Sequence, residues 1–338
     1  LLAGAISLVG CSAPATNPPP STQTAPAVPQ RADLLGRVAL AEILADEDFA
    51  ELYQEIAAQD TTLPQTLDAA LDVVKYQTGI NLRDFTNVTV FADATVLVER
   101  MESAQSNGAP PYCGALVEGK LDESTFIDSI ESKLGQELTT SIYQNYTIYT
   151  FPDSQNQSEA FSMAFLADNE MVIGTTLAVK DVIDVIEGRQ DPISGTVYAL
   201  YSQLGDALIK LASSVPESLT ERIPAEIPLG PINLNLLCFR DIEYATLTLT
   251  ENGAIVNTDV HLEFANVDSA RTSEQLLRLA ITSGKHLVSD PDIKELLSKV
   301  HISRSGSSVS LTLALTIPEI EHLISAMLEE AKVGSPHF

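Results

Sequence analysis

Two pairs of acidic residues have a spacing that could bind a metal ion or transfer protons. Asp46 and Asp48 form the first pair, and Asp290 and Asp292 form the second. Carboxylates are preferred ligands of Ca²⁺, but neither pair lies in an EF-hand pattern. Both pairs stand where helices are predicted to begin, and aspartate side chains there accept hydrogen bonds from free backbone N–H groups. The sequence therefore favours helix capping, and it predicts no metal site and no cofactor.

The histidines do not form a local metal site or a recognisable catalytic motif. They are never three to five residues apart, so zinc ligands would have to be assembled from distant positions, namely His261, His286, His301, His322 and His337. The glycine-rich nucleotide-binding motifs, Gly-x-Ser-x-Gly and Ser-x-x-Lys are absent. His261 has Asp259 and Glu263 as neighbours on one face of a predicted strand, which is typical of a salt bridge. We therefore predict no catalytic residues.

Cys11 is the residue with the clearest chemical context. It follows an apolar run from Leu1 to Val9, which is too short to span a bilayer and has the length of a signal-peptide core. The small residue Gly10 precedes it, and a polar, proline-rich stretch follows.

The tetrapeptide Leu8-Val9-Gly10-Cys11 resembles the lipobox of bacterial lipoproteins. The resemblance implies that a diacylglyceryl group alkylates the Cys11 thiol and that the signal is removed, so that Cys11 becomes the new amino terminus. Two or three acyl chains, each contributing about 0.8 kcal/mol per buried methylene, give stable membrane anchoring. The expected location is the extracytoplasmic face of a cell membrane, with Cys11 as the lipid anchor.

The other two cysteines, Cys113 and Cys238, are an even pair in a compartment where disulfides form. They could bridge each other, or they could be buried reduced thiols in strands. The sequence leaves both alternatives open.

The formal net charge of -27 excludes one class of partner. An acidic surface repels nucleic acids, so we predict no nucleic-acid binding. Solubility outside the cytoplasm explains the acidity, and Ca²⁺ binding is the alternative. The absence of Trp and the low aromatic content of 6% disfavour a stacking platform for sugars or bases.

Composition and periodicity divide the 338 residues into five parts. The stretch after Cys11 is rich in Pro, Ser and Thr and cannot bury a core, so it predicts an extended linker. The parts are a signal peptide (1–10), the lipidated cysteine and linker (11–33), a helical segment with a first α+β unit (34–188), a proline-containing connector (189–235) and a second α+β unit (236–332).

Hydrophobic periodicity predicts helices first and strands afterwards. Helices are expected over 34–44, 49–56 and 64–77, and a single strand is expected over 143–151. In the second half, Asn252-Gly253 predicts a tight hairpin between two strands. Residues 198–213 are predicted to be helical.

The order of the predicted elements is similar in both halves, strand-strand-helix-strands-helix. We therefore predict an α+β fold: an antiparallel sheet built from two related units, with helices mainly on one face and an additional helical segment at the N-terminus.

The segment Tyr76 to Asp84, the strand Ala115 to Lys120 and the strand Met171 to Gly174 resemble passages in families of uncharacterised exported bacterial proteins. The resemblance spans most of residues 60–190, and its motifs are structural. It implies no activity.

Three functional hypotheses follow. The first is a lipid-anchored, non-enzymatic protein that binds a ligand or a protein partner or serves in an envelope assembly. The second is a carrier of a lipid or another hydrophobic molecule, which requires an unfilled apolar cavity. The third is a cell-surface hydrolase, for which His261, His286 and His301 are the candidate bases.

Overall fold

The computed structural model describes residues 26–59, 62–96, 112–152, 161–229, 232–288 and 290–323. The signal peptide, Cys11 and most of the linker lie outside the described residues. In the described part, no helix combines the length and the apolar character needed to span a membrane.

Twelve strands form one sheet in which all the pairings are antiparallel, and two further strands form a separate hairpin. The strands are β1 (Leu34–Val38), β2 (Phe85–Ala92), β3 (Cys113–Gly119), β4 (Thr139–Tyr143), β5 (Tyr146–Thr150), β6 (Phe161–Ala167), β7 (Glu170–Thr175), β8 (Ile209–Ser214), β9 (Glu226–Leu229), β10 (Ile232–Asn235), β11 (Ile242–Asn252), β12 (Ile255–Phe264), β13 (His301–Ser305) and β14 (Ser308–Thr316).

The helices connect these strands and cover the sheet. They are α1 (Leu40–Ala45), α2 (Glu47–Gln59), α3 (Leu67–Thr78), α4 (Glu123–Leu134), α5 (Thr176–Ile186), α6 (Thr196–Gln203), α7 (Glu217–Thr220), α8 (Val267–Leu287), α9 (Pro291–Lys299) and α10 (317–323). Short 3₁₀ turns precede β2, at Leu82–Asp84, and β11, at Leu237–Asp241.

The strand order is β13-β14-β12-β11-β8-β1-β2-β3-β7-β6-β5-β4. The strands nearest to the central pair β8–β1 correspond on the two sides, whereas β5 and β4 have no counterpart. Beside β1 lie β2 and β3 and then β7, which is followed in the chain by α5. Beside β8 lie β11 and β12 and then β14, which is followed in the chain by α10. The α+β class with a large antiparallel sheet is confirmed. Descent of the two halves from a related unit stays a prediction, as do the unit boundaries at residues 188 and 235.

Most helices lie on one face of the sheet, which we call the helical face. Alternate side chains of a strand point to opposite faces, so the neighbouring residues Leu116 and Val117 of β3 point to different faces of the sheet. Leu116 belongs to the core beneath α5 and α6, whereas Val117 packs toward α1 and the 3₁₀ turn before β2. The core beneath α8 includes Val309. The residue pairs between successive strands from β3 to β14 show that Val309 points to the same face of the sheet as Val117.

The helix predicted over residues 34–44 is wrong in its first half. Residues 34–38 form β1, and the helix begins only at Leu40. The apolar residues at positions 34, 35 and 38 fit the period of a helix as well as that of a short buried strand. The segment forms a strand because it pairs with β2 on one side and with β8 on the other. Leu35 is fully buried as a result.

The helix predicted over residues 198–213 is likewise only half present. Helix α6 ends at Gln203, and Gly205, with φ of 62°, redirects the chain into β8. Only glycine adopts that left-handed backbone at little cost. The proline-containing connector therefore supplies a central strand of the sheet where the sequence predicted a helix, and it also contains the β9–β10 hairpin.

Two turns show how local sequence sets register. The hairpin predicted at Asn252-Gly253 is confirmed, since Asn252 pairs with Ile255 and Gly253 has φ of 61°. The strand predicted over 143–151 is instead the second half of a hairpin, because Gln144 and Asn145 both have positive φ, 52° and 71°. Two positive φ values in succession define a type I′ turn.

Asp33 fastens the two halves of the sheet to each other beside β1. Its Oδ1 accepts a hydrogen bond from the backbone N–H of Ala94 (2.6 Å), and its Oδ2 accepts one from the Ser214 hydroxyl (2.7 Å). Its carbonyl oxygen accepts from the Ser214 N–H (2.8 Å). One side chain thus links the end of β2 to the end of β8.

We expect Asp33→Ala to lower the free energy of unfolding by about 1–3 kcal/mol, because the partly buried Ala94 N–H and Ser214 hydroxyl lose their acceptors. Urea unfolding of the full chain measures the change. Asp33→Asn, which keeps one oxygen acceptor and adds a donor, should lose clearly less. Equal losses in the two variants would contradict the role of these two hydrogen bonds.

Candidate functional site

An apolar pocket of about 190 Å³ lies between the helical face of the sheet and helices α1, α2 and α10. We call it the apolar pocket. Its apolar lining residues come from three helices, three strands and the residue that precedes β8: Ile43, Phe49, Leu52, Leu208, Ile209, Leu249, Val256, Ile317 and Ile320.

The strand pattern of β11 explains why this surface is apolar. Its sequence alternates Thr and Leu, so that Leu247 and Leu249 share the helical face while the threonines point to the other side. Val256 opposes Glu251 across the β11–β12 hairpin and adds a second apolar strand residue. Helix α1 has only 6 residues, and the chain turns at Asp46 into α2, which leaves a gap that no described side chain fills.

A pair of carboxyl groups, Asp46 and Glu251, is the polar part of the lining. The hydrogen bond between the two side chains, together with burial and the charge of Asp46, raises the pKa of Glu251 to about 7. Burial raises the pKa of Asp46, but the hydrogen bonds from Glu251 and from the backbone of Phe49 and Asp48 outweigh it and lower that pKa. The two groups therefore share one proton near neutral pH.

The capping role predicted for both acidic pairs is confirmed. Asp46 Oδ1 accepts from the Phe49 N–H (2.8 Å) at the start of α2. Asp290 Oδ1 accepts from the N–H groups of Asp292 (2.8 Å) and Ile293 (3.3 Å) at the start of α9.

The sequence missed the partners of these two pairs. Carboxylate oxygens of Asp46, Asp48 and Glu251 lie within 4.8 Å of one another, and so do ligand atoms of Asp290, Asp292 and His322. In each case the partner is more than 25 residues away in sequence, and no local spacing could have signalled it.

A second, larger groove of about 740 Å³ runs along the start of α4, but its polar groups serve the fold. Asp122 accepts from the Thr125 N–H (2.8 Å) as the helix cap, and hydrogen bonds from Thr125 and Ser124 lower its pKa. Glu123 accepts from the Tyr149 hydroxyl (2.7 Å), and burial, followed by this bond, raises the pKa of Tyr149 to about 12. The apolar pocket is therefore the better candidate for binding.

The structure describes two of the three cysteines, and these two lie far apart from each other. Cys11 lies outside the described residues. Cys113 and Cys238 are free thiols, and burial raises the pKa of the Cys113 thiol. Cys113 shares a row of the sheet with Ala245 of β11, four strand spacings or about 19 Å away, and Cys238 lies in the turn before that strand. A disulfide requires Cα atoms within about 7 Å, so the two thiols are not bridged in the structure. They also differ from the alternative of buried thiols in strands, because both are half-buried and Cys238 lies in a 3₁₀ turn.

The candidate bases of a hydrolase are scattered. His261 lies in β12, and its Nδ1 is 2.7 Å from the Ser310 hydroxyl on the open face of the sheet, outside the apolar pocket and the α4 groove. His286 lies in the last turn of α8, and His301 begins β13. The structure does not bring the three histidines together.

Comparison with known proteins gives a weak likeness. No family model and no curated protein sequence matches this chain. Crystal forms III and IV of TP0453 are similar to it, with 12% and 10% sequence identity and TM-scores of 0.46 and 0.44. The matches cover 89% and 88% of this chain and 96% of each of the TP0453 chains. At this identity and TM-score, no property of TP0453 transfers to this chain.

We expect the carboxyl pair to make stability fall as pH rises from 5 to 8. The folded pKa of Glu251 lies above its ordinary value of 4.5, so the folded state holds a proton in this window that the unfolded state has lost. Glu251→Gln keeps an amide donor toward Asp46 and removes the titration. The pH-dependent loss should therefore be smaller in Glu251→Gln, by on the order of 1 kcal/mol after solvent screening.

Chemical unfolding at pH 5 and pH 8 measures this difference. Glu263→Gln, in β12, is the matched control and should keep the wild-type pH dependence. If Glu251→Gln follows the wild type across the window, the two carboxyl groups do not share a proton.

Proposed function

We propose that this protein is a lipoprotein anchored through Cys11 to the extracytoplasmic face of a membrane, where it binds a ligand or protein partner without catalysing a reaction. The lipobox resemblance and the proline-rich linker support the location. The apolar pocket supports the binding role, and it is the observation that carries the proposal.

The size of the pocket limits what it can bind. A cavity of about 150 Å³ lined by Leu, Ile and Phe binds a benzene-sized molecule, and the apolar pocket is of the same order at about 190 Å³. It accommodates one large apolar side chain of a partner or the end of an acyl chain, not a whole lipid. This favours recognition of an apolar group over enclosure of a complete lipid.

A carrier of hydrophobic molecules is the second candidate function. The pocket lining is almost entirely apolar, and the Asp46–Glu251 pair supplies one polar contact at near-neutral pH. An amphiphile could insert its chain and leave its head outside. In this case the pocket would hold only part of the ligand.

The pocket chemistry supports a non-enzymatic role. Its described lining consists of apolar residues and two carboxyl groups, without serine, cysteine or histidine; the carboxyl pair can transfer a proton, but the lining offers no other polar side chain to orient a polar substrate beside it. The hydrolase alternative could use the His261–Ser310 pair, which has the hydrogen-bond distance of a nucleophile and its base but lines neither the apolar pocket nor the α4 groove.

We expect Cys11→Ser to abolish membrane attachment. Without the thiol no diacylglyceryl group can be added, so the acyl chains that would hold the protein at the bilayer are lost. Labelling with radioactive palmitate and fractionation of cells measure the effect. Cys238→Ser is the control and should still carry label. Label that persists in Cys11→Ser would contradict the anchor.

We expect Val256→Phe to block binding in the apolar pocket, because the larger ring fills the gap beside Leu249. A fluorescent apolar probe and native mass spectra of the full chain in detergent measure binding. The affinity for the probe should fall at least about tenfold, which corresponds to about 1.4 kcal/mol.

Ile255→Phe is the matched control, because Ile255 is the neighbouring residue on the opposite face of β12 and is 44% exposed. Leu249→Ala enlarges the pocket and should strengthen binding of a larger probe. Unchanged binding in both pocket variants would refute the assignment of the pocket, and binding lost equally in Ile255→Phe would indicate a general folding defect.

A further inference from the structure

The second acidic pair meets a histidine at the junction of helices α9 and α10. Asp290 and Asp292 stand at the start of α9, and His322 lies on α10. The Nε2 atom of His322 is 3.8 Å from Oδ2 of Asp290 and 3.5 Å from Oδ2 of Asp292. Residues about 30 positions apart in sequence thus bring three potential metal-ligand atoms within 4.8 Å of one another.

The capping role of Asp290 leaves half of its carboxylate available. Its Oδ1 accepts the hydrogen bonds from Asp292 and Ile293, and its Oδ2 faces His322. The Asp292 side chain also directs Oδ2 toward the same point, while its backbone N–H is held by the cap. Helix capping therefore accounts for one oxygen of Asp290 and none of Asp292.

The Nε2 atom of His322 is buried, although the whole side chain is 39% exposed. It lies within ion-pair distance of Asp290 and Asp292 but has no hydrogen-bond partner among the described residues. Buried polar atoms in native structures nearly always have a hydrogen-bond partner, because an unpartnered one has lost its hydration without compensation. The nearest acceptors are the two carboxylate oxygens, but neither makes a hydrogen bond with it. The nitrogen therefore points between two carboxylates without bonding to either.

The spacing of the three atoms fits a metal ion at their centre. In tetrahedral zinc sites the nitrogen and oxygen ligands lie about 2.0–2.2 Å from the ion, which separates any two ligand atoms by about 3.4 Å. The observed separations of 3.5 Å and 3.8 Å are close to that edge length and long for hydrogen bonds.

We infer that Asp290 Oδ2, Asp292 Oδ2 and His322 Nε2 bind one Zn²⁺ ion, with water in the fourth position. The imidazole ligand selects a borderline ion such as Zn²⁺ over Ca²⁺ and Mg²⁺, which prefer oxygen ligands alone. The argument for this site does not rest on the proposed pocket function.

The ion would join two helices that the polypeptide connects only through β13 and β14. Lys299 at the end of α9 already pairs with Glu319 of α10. Zn²⁺ adds a second link between the same helices, close to Ile317 and Ile320, which line the apolar pocket. Binding of the ion therefore stabilises α10 as a wall of the pocket.

The direct test is a zinc titration of the untagged full chain in detergent, after removal of metals, in competition with a chromophoric chelator. We expect one Zn²⁺ per chain. His322→Gln and Asp292→Asn should each weaken affinity at least about tenfold, because each removes one of three protein ligands. Asp292→Asn leaves the Asp290 cap in place, so it tests the site without removing the cap.

Matched controls exclude non-specific binding to an acidic protein. Asp268→Asn changes the corresponding first-turn acid of α8, and His301→Gln removes an exposed histidine. Both should keep wild-type zinc affinity. Zinc should also raise the melting temperature of the wild type more than that of His322→Gln, since only a ligand bound to the folded state shifts unfolding.

Two results would overturn the assignment. One is zinc affinity in His322→Gln and Asp292→Asn equal to that of the wild type. The other is wild-type binding that Ca²⁺ displaces as readily as Zn²⁺, because a site with an imidazole ligand would discriminate between them.

Discussion

The pairing of β1 with β8 is the contact on which the rest of the structure depends. All five residues of β1 pair with β2 on one side and with β8 on the other, so this short strand turns two smaller sheets into one sheet of twelve strands. Leu35 is fully buried at the centre of the pairing. Asp33 reinforces it from the end of the strand through Ala94 and Ser214. Without this pairing the two halves would each expose a long sheet edge to solvent.

The apolar pocket is a consequence of how this joined sheet is covered. Helices α1 and α2 follow β1 in the chain, whereas α10 follows β14 at the other side of the second half. Both reach the same part of the helical face, above β8, β11 and β12. Helices that arrive from distant points in the chain need not fill every gap between them, and the space beside Leu249 remains open.

The two acidic pairs have the same local role, helix capping, but each makes a different contact with a residue far away in sequence. Asp46 and Asp290 both cap helices through Oδ1. The Asp46 carboxyl also shares a proton with Glu251 and borders the pocket. The Asp290 carboxylate faces His322 across the α9–α10 junction. Asp46 and Glu251 line the pocket directly, and His322 lies on α10, which also lines it. Binding of a ligand and binding of a metal ion are therefore expected to affect the same part of the molecule.

Local interactions explain which parts of this structure the sequence predicts by itself. The α+β class, the Asn252-Gly253 hairpin and the two aspartate caps depend on neighbouring residues, and each was predicted and confirmed. The lipobox at Cys11 is also a local signal, and it stays a prediction. In contrast, β1 and β8 were predicted as helices, because an apolar residue every third or fourth position satisfies a helix as well as a short buried strand.

Tertiary structure alone decided those two strands, the pocket and the partners of the acidic pairs. Strand β1 is a strand because β2 and β8 offer hydrogen bonds from residues more than 45 positions away. Glu251 meets Asp46, and His322 meets Asp290, through elements that are far apart in sequence. Such contacts depend on how distant segments pair and pack, and local spacing in the sequence carries no signal of them. The sequence by itself therefore determined the local turns and caps, and the tertiary structure determined which distant side chains meet.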